Sequence, residues 1–328
     1  MQVELPKFFH LLGDSDMATP TISVVIPVYG SPDSLKELSS RLRNSLDSLV
    51  ESFEVILVND GSPDNSWDII KEIAAEDTRF IGLNLSRNFG QHPAITAGLT
   101  VARGEWTVVM DCDLQDQPEE IINLYKKALE GFEQVVAVRR NRQDVLLKRM
   151  FSKLFMKLLS NLSGQEMNHQ VGNFGIYHRK VVNAINAMPE QARTFTLLSK
   201  WVGFKRTELE VEHMPRKFGR TSYSFRQLMS LGLTSVISYS DKPLRMTVSI
   251  GFGISGLSLL SAFYLVIRHF FWDISVIGWT SLIVAISFMT GVLMATIGIV
   301  ALYIGRIFEE TKHRPLFVIS EISDTRQN

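Results

Sequence analysis

The chain has 328 residues, room for one large domain or two modest ones, and its 34 basic and 34 acidic side chains leave no net charge. That balance excludes the global basic surface of a nucleic-acid binder, so any pull on an anionic ligand must come from local patches. A single cysteine excludes an intrachain disulfide and fits a reducing compartment, and a charged, mixed region to about residue 240 gives way to a strongly apolar one.

Residues 1–19 lack the charged-then-apolar pattern of a secretory signal and read as a loosely ordered leader. Ile22 to Val28 is a buried parallel strand by its continuous apolar run, ended by Tyr29-Gly30-Ser31-Pro32. Ser34 to Val50 follows with Leu35, Leu38, Leu42, Leu46 and Leu49 at helical spacing. Phe53 to Val58 is a second strand, ending at Asn59-Asp60-Gly61-Ser62, and Pro63 to Ala75 a helix with Trp67, Ile70 and Ile73 inward. Phe80 to Leu85, Pro93 to Ala102 and Thr107 to Met110 continue the alternation as strand, helix and strand. Strands and helices at this spacing predict an α/β fold with a doubly wound, mostly parallel sheet. A dinucleotide fold shares the alternation but needs Gly-x-Gly-x-x-Gly after its first strand, and Tyr29-Gly30-Ser31-Pro32-Asp33-Ser34 does not fit.

The fourth strand runs into Asp111-Cys112-Asp113-Leu114-Gln115, which sets carboxylates at the carboxyl edge of the sheet, where open α/β folds bind ligands. Hard oxygens such as those of Asp113 and Gln115 suit Mg²⁺ or Mn²⁺, with substrate phosphates completing the octahedron. Asp-x-Asp alone is also what an acidic loop before a helix near Pro118 would show. Cys112 lacks the Cys and His partners of a zinc site and reads as a packed strand-end residue. Carboxylates ending the second strand (Asp60) and the fourth (Asp111, Asp113) suit a nucleotide-sugar, one for the base or ribose and two for the metal and diphosphate.

The polarity then changes sign. Arg139, Arg140, Arg142, Lys148, Arg149, Lys153 and Lys157 are interleaved with Phe151, Leu154, Phe155, Leu158, Leu159 and Leu162, a basic amphipathic helix of the kind that lies on a membrane surface. A basic loop, Arg216 to Tyr223, leads into the apolar stretch Phe225 to Tyr239, which suits phosphate-bearing lipid or plain anionic headgroups equally. Leu244 to Ile267 carries one charge, Arg245, and Ile274 to Ile304 none, so each exceeds the roughly 20 apolar residues that span a bilayer. Lys242, Arg245, Arg306, Lys312 and Arg314 flank this hairpin against one Arg in its connector, which places both termini and the catalytic domain in the cytoplasm. The expected organisation is a leader over 1–19, a cytoplasmic α/β domain over 20–215 with an interface helix at about 146–162, a basic loop and interface helix over 216–243, a two-helix transmembrane hairpin over 244–304 and a cytoplasmic tail over 305–328.

Val24-Val25-Ile26-Pro27-Val28-Tyr29, Val58-Asn59-Asp60-Gly61-Ser62-Pro63-Asp64, Ser86-Arg87-Asn88-Phe89-Gly90 and Met110 to Asp116 together resemble the polyprenyl-phosphate glycosyltransferases, a GT-A group of glycosyltransferase family 2. Asn88 to His92, Arg139 to Asp144 and Tyr303 to Ile307 resemble the branch that transfers 4-deoxy-4-formamido-arabinose to undecaprenyl phosphate. The resemblance implies that Pro27, Tyr29, Asp60, Asn88, Asp111 and Gln115 line the nucleotide-sugar pocket and that Asp111, Asp113 and Gln115 hold Mg²⁺ or Mn²⁺. It implies that Arg139, Arg142, Lys148, Arg149 and Ser152 meet the acceptor phosphate and that Arg216 closes over the donor. Three departures stand out: Tyr29-Gly30-Ser31 for Tyr-Asn-Glu, Gly219-Arg220-Thr221-Ser222-Tyr223 for Gly-x-Ser-Lys-Tyr, and Gly172-Asn173-Phe174 for Gly-Asp-Phe, which removes a carboxylate.

The expected activity is inverting, metal-dependent transfer from a nucleotide-sugar, UDP-linked by the branch resemblance, to polyprenyl phosphate, for cell-envelope glycan or lipid A modification. The expected setting is the cytoplasmic membrane, as a homo-oligomer (a tetramer by the resemblance) with no nucleic-acid partner. A processive polysaccharide synthase is the alternative, but it would carry a Gln-x-x-Arg-Trp motif where this chain has Leu198-Ser199-Lys200-Trp201. A non-catalytic membrane scaffold is the other.

Overall fold

Ile22–Val28 forms the central strand β1 and is buried along its whole length, as a near-continuous apolar run requires of a strand covered on both faces. The structure, a computed structural model, describes residues 19–139, 171–212, 240, 242–271 and 278–324. After β1 come α1 (Pro32–Asp47), β2 (Phe53–Asn59), α2 (Ser66–Glu76), β3 (Phe80–Leu85), α3 (Gln91–Val101), β4 (Trp106–Val109), α4 (Glu120–Ala128) and β5 (Gln134–Arg139). They are followed by β6 (Val171–His178), α5 (Arg179–Asn186), α6 (Phe195–Trp201), β7 (Arg206–Val211), α7 (Lys242–Phe271), α8 (Trp279–Thr311) and β8 (Ile319–Ser323). The leucine-lined first helix carries Pro32 in its first turn, where a missing N–H costs nothing.

One eight-stranded sheet runs in the order β7-β5-β6-β4-β1-β2-β3-β8. β4, β1, β2 and β3 are parallel neighbours, while β6 runs antiparallel to both β4 and β5, β7 parallel to β5, and β8 antiparallel to β3. The sheet is therefore mixed, with the expected parallel, doubly wound part at its centre. Two apolar layers cover it. Alternate residues Val24, Ile26 and Val28 pack with the leucines of α1, with α2 and with α4 on one face, and Val25, Ile56 and Val58 pack with α3, α5 and α6 on the other. Gly98 lets α3 lie close on that second face, since a Cβ there would stand 2.3 Å from Val25 Cγ1.

The described residues fall into two compact units, one holding 19–139, 171–212 and 314–324, the other 240, 242–271 and 278–313. The second unit holds α7 and α8, and the Tyr303 hydroxyl donates to the Ser240 carbonyl at 2.7 Å. Within α8, Phe288–Thr311 is long and apolar enough to cross a membrane, with a mean hydropathy of 2.0, and none of it is buried in protein. It is the one such segment among the described residues. The expected first span falls on α7, a continuous helix. The amphipathic helix expected at about 146–162 and the basic loop with its following interface stretch, 216–239, lie outside the described residues.

Candidate active site

Strand order creates the site. From β1 the chain steps to β2 and β3 on one side and then returns to place β4 on the other, so the carboxyl ends of β1 and β4 flank a topological switch point. The ladder between them closes at the Met110 N–H, which donates to the Val25 carbonyl at 3.2 Å. Pro27, two residues further on, directs its nitrogen to that same side, where no partner strand continues, which is why a proline is tolerated in a central strand. The two chains part there, and the gap is bordered by Tyr29, 53% exposed, and by the segment from Asp111.

Along that segment burial alternates: Cys112, Leu114, Asp116 and Pro118 are buried, while Asp111, Asp113, Gln115 and Gln117 are half-exposed. Both aspartates and Gln115 thus stay accessible from the crevice, and the buried residues anchor the loop. Leu114, 2% exposed, holds φ at 60°, a left-handed conformation that costs a residue with a Cβ about 1–2 kcal/mol. The turn it makes lets the Gln115 N–H donate to Asp113 Oδ1 at 3.1 Å. Asp111 Oδ1 accepts from Gln91 Nε2 at 2.7 Å and, at the long limit of 3.5 Å, from Asn173 Nδ2. The Cys112 thiol meets the Ser31 side chain and the Tyr29 backbone across the switch point, and burial pushes it up to about 11, so it is a neutral packed group.

Asp60, at the end of β2, is 3% exposed. Its two carboxylate oxygens accept the backbone N–H groups of Phe89 at 2.7 Å and Gly90 at 2.9 Å, at the entrance to α3. Burial holds this carboxyl above its ordinary value, opposed by those two amides and by the Arg87 charge. Gly61 faces the same loop: its φ of +61° suits glycine, and a Cβ there would stand 2.5 Å from the Arg87 carbonyl carbon. Asn88 is exposed at the loop's tip. His92, in the first turn of α3, accepts the Phe195 N–H on Nδ1 at 3.3 Å, and burial pushes its imidazole down to about 4.

Parallel strands that are neighbours end at one edge, so Pro27, Tyr29, Asp60, Asn88, Asp111, Asp113 and Gln115 come together there from separate stretches of the chain. Arg139 ends β5, which runs in the direction of β4 because both are antiparallel to β6, and so its backbone stands at the same edge. Arg142, Lys148, Arg149, Ser152 and Arg216 lie outside the described residues. Among the described residues no three carboxylate, imidazole or thiolate groups converge as a metal cage. Two carboxylates and an amide oxygen are a partial set, as suits a cation that shares its shell with phosphate and water. Sequence reasoning assigned no role to Gln91, which reaches Asp111, or to His92, which reaches Phe195; the signal available was Gly90, the cap of a helix that starts directly after a strand-end loop.

The model of glycosyl transferase family 2 matches residues 23–185. Over 305 residues the chain is 36% identical to the uncharacterized glycosyltransferase sll0501 of Synechocystis sp., covering 93% of this chain and 96% of that one. It is 35% identical to the uncharacterized glycosyltransferase YkcC of Bacillus subtilis, covering 91% and 93%. It is 37% identical to the undecaprenyl-phosphate 4-deoxy-4-formamido-L-arabinose transferase of Shewanella sediminis, covering 92% of each. Among solved structures, glucosyl-3-phosphoglycerate synthase from Mycobacterium tuberculosis aligns with 66% of this chain and 76% of that chain at 18% identity and a TM-score of 0.44.

Proposed function

The chain belongs to glycosyl transferase family 2, and on that premise we propose that this glycosyltransferase moves one sugar from a UDP-sugar to undecaprenyl or another polyprenyl phosphate. What supports the reading is one arrangement: accessible Asp111, Asp113 and Gln115 at the switch point, beside the Asp60 loop, in a chain with an apolar helix long enough to cross a membrane. The relative named for undecaprenyl phosphate supports the choice of acceptor.

In this reading Tyr29 lies against the base and the Asp60 loop shapes the nucleoside pocket, with Pro27 and Asn88 at its borders. Asp111, Asp113 and Gln115 fit a hard divalent cation, being oxygen donors on the accessible side of the loop and too few to enclose it alone. Bound Mg²⁺ or Mn²⁺ would neutralise charge on the departing diphosphate. Gln91 and Asn173 orient Asp111 with neutral amides and add no charge to the site. Asn173 has no proton-accepting group, and none is needed: a phosphate monoester, with a second pKa of about 6, is already ionised at neutral pH.

The barrier is the approach of two anions, which repel by about 4 kcal/mol per pair of unit charges at 4 Å for an effective dielectric near 20. Arg139, Arg142, Lys148, Arg149 and Ser152 would offset it at the acceptor phosphate, and Arg216 at the donor. Direct attack of the lipid phosphate oxygen on the anomeric carbon then inverts its configuration. The membrane arrangement in this reading is a two-span hairpin of α7 and α8, with the catalytic unit and both chain ends cytoplasmic.

The test is transfer by the purified protein in detergent with undecaprenyl phosphate, Mg²⁺ or Mn²⁺, and a panel of UDP- and GDP-sugars that includes UDP-4-deoxy-4-formamido-arabinose. The expected result is a lipid product heavier by one sugar, seen by mass spectrometry, with inverted anomeric configuration. Products heavier by many sugars, or a retained configuration, would refute it.

A further inference from the structure

We propose that the C-terminal strand β8 is a positioning element of the donor pocket: by pairing with β3 it sets the Ser86–Gly90 loop that grips Asp60. The part of this that concerns the donor rests on the nucleotide-sugar reading above. β8 follows α8 in the chain and lies outside residues 23–185, the stretch matched by the family model. It nevertheless completes the sheet on the side of the pocket. Gly82 pairs with Ser323, Leu83 with Ile322, Asn84 with Glu321 and Leu85 with Ile319, with a register shift at Asn84–Leu85. Without it β3 would be an open edge directly before the loop.

The contacts continue past the ladder to the loop's root. The Ser86 N–H donates to the Val318 carbonyl at 2.9 Å. The Ser320 hydroxyl donates to the Asn84 carbonyl at 3.0 Å, and the Asn84 side-chain oxygen in turn accepts from Asn59 Nδ2 at 2.8 Å, one residue before Asp60. Trp67 Nε1 donates to Glu321 at 2.9 Å. Phe317, Ile319 and Ile322 pack on the apolar layer that holds Leu83 and Leu85, as does Phe89 of the loop itself. At the other end of the same loop Phe89 and Gly90 bind Asp60, and the Arg87 guanidinium covers the Phe89 ring at 4.1 Å. The loop is thus held at its root by β8 and at its far end, where α3 begins, by Asp60. Releasing the root lets the loop sample other conformations, and the amides of Phe89 and Gly90 then lose their fixed approach to the carboxylate.

The experiment compares the full-length protein with an Ile319→Asp/Ile322→Asp variant and with the milder Ser320→Ala/Glu321→Ala variant, which removes the two polar side-chain contacts of β8 and leaves Ile319, Ile322 and the packing of Trp67 on Gly82 in place. Amide hydrogen exchange at Ser86, Phe89 and Gly90 is expected to quicken about tenfold or more in the first and less in the second, with Val25 in β1 and Met110 after β4 unchanged. The Kd for UDP and the KM for the donor should rise about tenfold with kcat nearly constant. Unchanged exchange at Phe89 and Gly90, or an equal quickening at Val25 and Met110, would overturn the proposal and leave β8 a general stabiliser. If the aspartate variant fails to fold, the milder pair decides on the same criterion. A wild-type protein that binds no UDP would sink the donor reading, while the exchange pattern would still decide what β8 does to the loop.

Discussion

Asp111 and Asp113 stand two residues apart and are held differently. Asp111 is held from outside its loop by the amides of Gln91 and Asn173, and Asp113 accepts the N–H of Gln115 within it. Asp113→Ala therefore removes an accessible carboxylate, a ligand in the proposed metal site, without touching the core. Transfer is expected to fall by about two orders of magnitude or more with the thermal midpoint nearly unchanged, and a comparable activity in the variant would remove Asp113 from the metal site. His92 supplies a pH prediction. Its folded value is lowered to about 4 from 6.5, so below about 6.5 the unfolded chain takes up a proton that the folded one refuses. Stability from this residue is present above that range and is lost as pH falls towards 4, by roughly 2–3 kcal/mol at the acid end. His92→Gln, which keeps an acceptor for the Phe195 N–H, should show a flatter decline of the thermal midpoint between about pH 7 and 4.5. Parallel declines in variant and wild type would contradict it.

At the scale of elements the site is a set of loops locked by backbone contact. The Asn59–Ser62 turn and the Ser86–Gly90 loop approach so closely that Gly61 has no room for a side chain. Gly61→Ala combines a left-handed backbone, about 1–2 kcal/mol, with an overlap that the Arg87–Asn88 peptide must relieve by moving, about 1–3 kcal/mol more. A lowered thermal midpoint together with weaker UDP binding is expected, and loss of stability with UDP affinity unchanged would separate the loop from the pocket. Gly98 plays a comparable part in α3. Gly98→Ala should push that helix off Val25 and displace Gln91 and His92 at its first turn, so a fall in kcat accompanies the fall in stability. Full activity in a destabilised Gly98→Ala protein would show that α3 does not position Asp111.

For the molecule as a whole, the proposed hairpin predicts two sides. In a Cys112→Ala background, an Asp273→Cys variant should react with a membrane-impermeant maleimide on intact cells. A Thr325→Cys variant should react only after the membrane is opened. Labelling of both on intact cells, or of neither, would exclude the two-span arrangement. The background is available because Cys112 is a buried neutral thiol, and its replacement should cost stability only, about 1 kcal/mol.

Periodicity alone determined the four parallel strands, the helices between them and the two apolar helical runs, because burial on both faces writes continuous apolar segments and helical packing writes leucines at α1's spacing. The family was legible too, from short motifs whose residues sit at strand ends. Helix starts were less so: α2 begins at Ser66 where Pro63 was expected, and α3 at Gln91 where Pro93 was, since the first turn lacks the intrahelical bonds that would mark it. Only the tertiary structure decided that Asp60 spends both oxygens on the Phe89 and Gly90 amides, that Asn173 and Gln91 meet on Asp111, and that Ile319–Ser323 returns to close the sheet beside β3. These are contacts between residues tens to hundreds of positions apart. A local pattern records what a segment buries, whereas the partner it buries against is chosen by strand order and register.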